Sequence, residues 1–188
     1  MARRGEPLCL GCRRLLRRLG PEPVVLSGVR AWAPIAYAGP ARELVGALKF
    51  RGATRVAGAM AAQIAANAPE AMLEGTLVPV PLHSRRLRRR GYNQAALIAD
   101  ALASRAGLEV VNCLRRAGSA APQVGRDRRE RRLGPAGSIE LCAAAPGRVV
   151  LVDDVATTGA TLAACAGALR AAGSIEVAAL VFARTIGR

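Results

Sequence analysis

Continuous apolar runs and spaced apolar stripes alternate along this chain. Short runs fall at residues 33–38, 76–80, 108–111, 139–141, 148–152 and 176–182. Runs of this length, the central ones rich in Val, Leu and Ile, predict strands buried on both faces of a parallel sheet. The stripes lie between them. Gly39-Pro40 opens a short helix whose apolar face is Leu44, Val45 and Leu48 and whose end is Lys49-Phe50-Arg51-Gly52. An alanine-rich helix is predicted over 55–68, stopping before Pro69. Asn93 caps another that runs to Ala106 on Ala96, Leu97, Ala99, Leu102 and Ala103, and a last one spans 162–171. Strands alternating with helices predict an α/β fold with a mostly parallel central sheet flanked by helices. Gly20, Pro21 and Pro23 make 20–30 read as a linker, dividing the chain into an N-terminal extension, 1–30, and an α/β domain, 31–188. Residues 115–137 show no period and carry Pro122, Gly125, Gly134 and Pro135. So long an irregular stretch in a compact domain predicts either a lid over a site or a surface insertion.

At 188 residues the chain suffices for one domain with a real core. Its 52% hydrophobic content is inflated by alanine and only 3% is aromatic, so the core should be aliphatic. No apolar run approaches a membrane span and no apolar segment follows the N-terminal arginines, so the expectation is a cytoplasmic protein without membrane insertion. Charge adds more. The formal net charge is +15, and 27 of the 28 basic residues are arginine, Lys49 being the exception. From Arg85 to Arg132 there are 13 arginines against Asp100, Glu109, Asp127 and Glu130. Such clustering predicts an anionic partner, a polyphosphate or a nucleic acid or both, against the plainer reading of a solvated face.

The chemistry gathers at 148–162, RVVLVDDVATTGATL. Asp153 and Asp154 stand where the apolar run should end, followed by Ala156, Thr157, Thr158, Gly159, Ala160 and Thr161 before the helix. A strand, a turn of small residues and a helix start bring backbone N–H groups, hydroxyls and the helix dipole to bear on an anion. The two acids suit ribose hydroxyls or hydrated Mg²⁺. No Gly-Lys-Ser/Thr follows, so this is not a nucleotide-binding P-loop. A second basic stretch, expected as a loop, follows the 76–80 strand: His83, Ser84, Arg85, Arg86, Arg88, Arg89 and Arg90. A loop at the carboxyl end of a strand is where open α/β sheets take ligands. Near the start, Cys9-Leu10-Gly11-Cys12 offers two thiolates, half of a tetrahedral Zn²⁺ site. Cys113, Cys142 and Cys165 form no second pair of ligand spacing, so little stable zinc is expected in a monomer.

The segment VLVDDVATTGAT resembles the 5-phosphoribosyl pyrophosphate (PRPP) signature of type I phosphoribosyltransferases. YAGPARELVGALKFRG, LVPVPLHSRRLRRRGYNQAALIADALA and APQVGRDRRERR resemble the ComF family, and together the match covers about residues 37–184. The resemblance implies a type I phosphoribosyltransferase-like fold. It places Asp153 and Asp154 on the ribose hydroxyls and 156–161 on the 5′-phosphate. The basic stretch from His83 falls on pyrophosphate or another polyanion, and Gln123, Arg128 and Arg131 on a closing lid. It also implies PRPP with Mg²⁺ as ligand, a pentosyl transfer as possible activity, and a role in competence through single-stranded DNA and other DNA-handling proteins. The alternatives are a single-stranded DNA-binding accessory protein and a PRPP-sensing module, both without transfer. Family members usually begin with two zinc knuckles, where this chain has one. They commonly carry an Asn in the lid, where this chain has Leu133-Gly134-Pro135.

Overall fold

A computed structural model describes residues 10–117 and 139–187. After a short helix, α1 (Leu10–Arg14), come β1 (Val24–Leu26), β2 (Val29–Trp32) and β3 (Ile35–Ala36). Helices α2 (Pro40–Phe50) and α3 (Arg55–Ala65) and a 3₁₀ turn at Glu70–Met72 lead to β4 (Thr76–Pro79). Then follow α4 (Ser84–Arg90), α5 (Gln94–Ala106), β5 (Leu114–Arg116), β6 (Ile139–Leu141), β7 (Arg148–Ala156), α6 (Ala160–Ala171) and β8 (Glu176–Arg184). The main sheet runs β1-β2-β8-β7-β4, with β3 continuing beside β8. Every pairing in it is parallel except the β1–β2 hairpin, so the expected α/β architecture with a mostly parallel sheet is what forms. β5 and β6 make a separate antiparallel ribbon.

β7 is central because it is apolar on both faces: Val149, Val150, Leu151 and Val152 are all buried. Val150 and Val152 pack with Leu180, Phe182 and the apolar faces of α2, α3 and α5. Val149 and Leu151 pack with Val181 and with Leu162, Cys165 and Leu169 of α6. One side of the sheet therefore carries three helices, the other α6 and the small ribbon. Among the described residues no helix is long and apolar enough to cross a membrane.

Several elements differ from the sequence expectation, each for a local reason. The expected linker at 20–30 holds a hairpin, turned by Ser27 and Gly28 with φ of 48° and 81°, the left-handed pair that tight hairpins require. Of the expected strand at 33–38 only Ile35–Ala36, β3, is in the ladder; β2 lies before it and ends at Trp32, and Ala33 and Pro34 separate the two. The 108–111 run makes a single bridge, Val110 to Leu77, instead of a strand. The basic stretch after β4 is a helix, α4, with no buried residue and so no apolar stripe to betray it. β7 and β8 each run past their expected ends, because Asp153 and Val155 stay in the ladder opposite Val181 and Ala183.

Candidate functional site

The carboxyl ends of β4 and β7 open onto a cleft of about 660 Å³. It is lined by Asp153 and Asp154 of β7, by Thr157 and Thr161 of the turn and helix that follow, and by His83, Arg85 and Arg86 after β4. Tyr37, Lys49, Gln94 and Arg116 close the sides.

The β4 side is built by the prolines and by α4. Val80 N donates to Val152 O at 2.9 Å, so the ladder extends one residue past β4 before Pro81 ends it. The carbonyls that Pro81 and Val80 then expose are taken by Arg116 Nε at 3.0 Å and by Asn93 Nδ2 at 3.0 Å. His83 caps α4, its Nδ1 accepting from Arg85 N at 3.2 Å. That bond engages the imidazole nitrogen structurally and sets the first turn, with Arg85 and Arg86, at the rim. Asn93 Oδ1 accepts from Ala95 N at 3.1 Å and caps α5, as its position predicts.

On the β7 side, the two acids are not equivalent. Adjacent residues in a strand point to opposite faces. Asp154 lies on the α2 and α5 side, its side chain only 2% exposed, with Lys49 Nζ 2.5 Å from Oδ2 and Gln94 Nε2 3.4 Å from Oδ1. The lysine contact is an ion pair without the alignment of a good hydrogen bond. Gln94 is itself oriented by Arg90 Nη1, which donates to its Oε1. Asp153 is partly exposed to the cleft, and its Oδ1 accepts from Asp154 N at 2.8 Å. Burial, then the neighbouring Asp154 charge, hold its carboxyl well above the ordinary range, and Lys49 only partly offsets this. Behind Asp153, burial and then the Asp153 charge push the Cys165 thiol up to about 12. That thiol is therefore a packing group and no nucleophile.

The turn between β7 and α6 has its carbonyls tied back. Thr185 Oγ1 donates to Thr157 O at 3.2 Å and Ser27 Oγ to Thr158 O at 2.8 Å. Thr158 Oγ1 accepts from Ala160 N at 3.3 Å. The first-turn N–H groups of α6 that follow have no partner within the helix. Gly159 starts the helix at φ 85°, and a Cβ there would lie 2.6 Å from Leu26 Cβ and 2.9 Å from the Leu26 carbonyl carbon. Gly159→Ala should therefore cost roughly 2 kcal/mol of stability, read as an earlier urea midpoint; an unchanged midpoint would show that the hairpin yields freely.

Of the residues singled out by sequence, Asp153, Asp154, Thr157, Thr161, His83, Arg85 and Arg86 meet at this cleft. Ala156 and Gly159 are buried supports, and Thr158 and Ala160 are exposed without lining it. Ser84 borders a smaller neighbouring cavity, Arg88 is exposed, and Arg89 and Arg90 line a separate cavity beside Phe50. Gln123, Arg128, Arg131 and Cys9 lie outside the described residues, as does the side chain of Cys12. Tyr37, Gln94 and Arg116 were not foreseen as site residues. Gln94 and Tyr37 stand inside stretches that carry the family resemblance, the one signal that pointed to them.

Comparison with known proteins finds Competence protein F of Haemophilus influenzae, 34% identical over 110 residues. That match covers 56% of this chain but 48% of the relative, so the chain spans about half of that protein's length. The DNA utilization protein YhgH of Salmonella typhimurium is 32% identical over 187 residues, covering 94% of this chain and 79% of the relative. The Salmonella typhi protein of the same name is 32% identical over 192 residues, covering 97% and 81%. No protein-family model matches. Among solved structures, orotate phosphoribosyltransferase from Aeropyrum pernix superposes with a TM-score of 0.42 and 22% identity, over 92% of this chain and 77% of that one. An allosteric regulatory enzyme of purine biosynthesis gives 0.43 and 21%, over 66% and 24%.

Proposed function

Because this chain belongs to the family of Competence protein F and the DNA utilization protein YhgH, we propose that its cleft binds PRPP, or a close phosphosugar, with Mg²⁺ in the service of DNA utilisation. The observation that carries the reading is the convergence of Asp153, the Thr157–Thr161 turn and Arg85 and Arg86 on one cleft at the carboxyl end of a parallel sheet. Thr157, Thr161 and the start of α6 suit a terminal phosphate. Asp153 suits the ribose hydroxyls, and Arg85 and Arg86, which line the same cleft, suit a pyrophosphate.

The residues also fit the metal. Asp153 is a half-buried carboxylate whose negative charge is only partly relieved, which favours a cation beside it. Among the described residues no three His, Cys, Asp or Glu side chains cluster as a metal site. Mg²⁺ would thus complete its oxygen shell from water and the ligand's phosphates, its usual habit. Bound there, it would neutralise charge on a departing pyrophosphate. The chain's own contribution to transfer is positioning and charge, from the arginines, the turn and a walled cleft.

Titrating PRPP into the protein with and without Mg²⁺, following heat and released pyrophosphate, tests the reading and separates turnover from binding alone. Asp153→Asn should weaken the Mg²⁺-dependent binding about tenfold or more. The sign with pH follows from its raised pKa. Between the ordinary carboxyl value and the raised one, the folded protein holds a proton that the unfolded chain has lost, so fold stability falls as pH rises through that window. Binding a cation expels the proton, so affinity should rise across the same window. Asp153→Asn should flatten both trends and raise the melting temperature of the free protein. Mg²⁺-independent, pH-flat affinity in the unaltered protein would overturn the assignment.

A further inference from the structure

The second cavity, about 460 Å³, lies across Lys49 from the first and is lined by Lys49, Phe50, Gly52, Arg89, Arg90 and Tyr92. The chain's aromatic residues divide sharply around it. Trp32 and Phe182 are sealed in the core, and Tyr37 lies in the first cleft with Arg42 5.3 Å from its ring centroid. Tyr92 donates its hydroxyl to Leu48 O, which fixes its ring at the cavity wall. Phe50, the last residue of α2, is 72% exposed.

A single exposed phenylalanine is ordinary on a protein surface. This one is not isolated. The Arg90 guanidinium stands 5.8 Å from its ring centroid, and Arg90 is held from the other side by Gln94 Oε1. The ring is thus the wall of a concave site whose charged lining, Lys49, Arg89 and Arg90, is wholly cationic. Lys49 is committed to Asp154, leaving Arg89, exposed, as the group best able to meet an incoming anion.

We propose that this cavity is a nucleotide subsite, distinct from the PRPP cleft: a base lies against Phe50 and its phosphate meets Arg89. A flat π-face beside fixed guanidinium groups matches an aromatic base carrying phosphate, since base stacking and cation–π contact use the same ring and every base has such a face. The volume falls within the range of small-ligand sites. An acidic peptide would satisfy the arginines and leave the ring uncovered. That chemistry is available from a free nucleoside monophosphate or from one nucleotide of a single strand. The proposal does not depend on PRPP binding, which the titration above tests by itself.

The test measures anisotropy of labelled oligo(dT) and of an abasic strand of equal length, together with calorimetry of dTMP. The unaltered protein, Phe50→Ala and Phe50→Tyr are compared. The unaltered protein should bind oligo(dT) about tenfold more tightly than the abasic strand. Phe50→Ala should abolish that preference, Phe50→Tyr should keep it, and PRPP titration should be the same in all three. Phe50-dependent binding of dTMP as well would assign the site to a free nucleotide; dependence with oligo(dT) alone would assign it to a strand. Equal binding of the two strands with no Phe50-dependent binding of dTMP would overturn the proposal, leaving charge alone. So would Phe50→Ala that leaves both oligo(dT) and dTMP unmoved. Because Phe50 is mostly exposed, the alanine variant should fold, which its melting curve verifies.

Discussion

Lys49→Ala should lower the stability of the ligand-free protein by roughly 3–5 kcal/mol, the largest effect expected of any single substitution considered. Asp154 is almost fully buried at the end of the central strand, and Lys49 is the one cation paired with it among the described residues. Without the lysine, the carboxylate keeps only a 3.4 Å contact with Gln94 and sits next to a second acid, Asp153. A buried charge stripped of its partner costs far more than the intact pair contributed. The converse substitution, Asp154→Asn, should cost less, because the Lys49 side chain is 24% exposed and can turn its ammonium to water. In acid the Lys49→Ala deficit should narrow, since Asp153, whose carboxyl is held well above the ordinary range, takes up a proton and no longer repels the charge left beside it. Urea unfolding at neutral and acid pH measures all of this. A Lys49→Ala variant within about 1 kcal/mol of the parent would show that water already reaches Asp154. Replacing both acids together would therefore mix loss of ligand with damage to the fold, so Asp153 alone is the clean variant.

That asymmetry was not legible in the sequence. Asp153-Asp154 reads as one pair, and the resemblance gives both to the ribose. The strand continues through them, though, and its alternation sends the second into the α2 and α5 layer. Lys49 and Gln94, which receive it, are remote from it in sequence, and nothing local ties either one to Asp154. What was legible follows from burial. β7, β8 and β4 are continuous apolar runs because both faces are covered, and α5 announces itself through Asn93 and a regular stripe. α4 escaped for the opposite reason: a helix that buries nothing has no period to read, and its arginines look like a loop. The β1–β2 hairpin escaped because its neighbours, Gly20, Pro21 and Pro23, resemble a linker. Ser27-Gly28 was the signal that a turn, and so a second strand, stood there.

The arginines of α4 should divide by position. Replacing Arg85 and Arg86 together with alanine should weaken PRPP about 100-fold, as two charge-assisted contacts to phosphate are lost. Binding of a single strand should keep its salt dependence. Replacing Arg88 and Arg89 should do the reverse. Strand affinity should fall for any sequence, the salt slope should flatten by roughly 0.7 per phosphate contact removed, and PRPP should be unmoved. The reason is axial reach. His83 pins the first turn of α4 at the cleft rim, where Arg85 and Arg86 line it. Each further residue rises about 1.5 Å along the helix, which carries Arg88 and Arg89 a turn away, Arg89 onto the cavity walled by Phe50. All four side chains are exposed and none is buried in the core, so neither double variant should disturb folding. Equal loss of PRPP in both variants would place the whole helix on the small ligand. No loss of either ligand in either variant would leave α4 as a solvated charged face, with its arginines serving solubility alone.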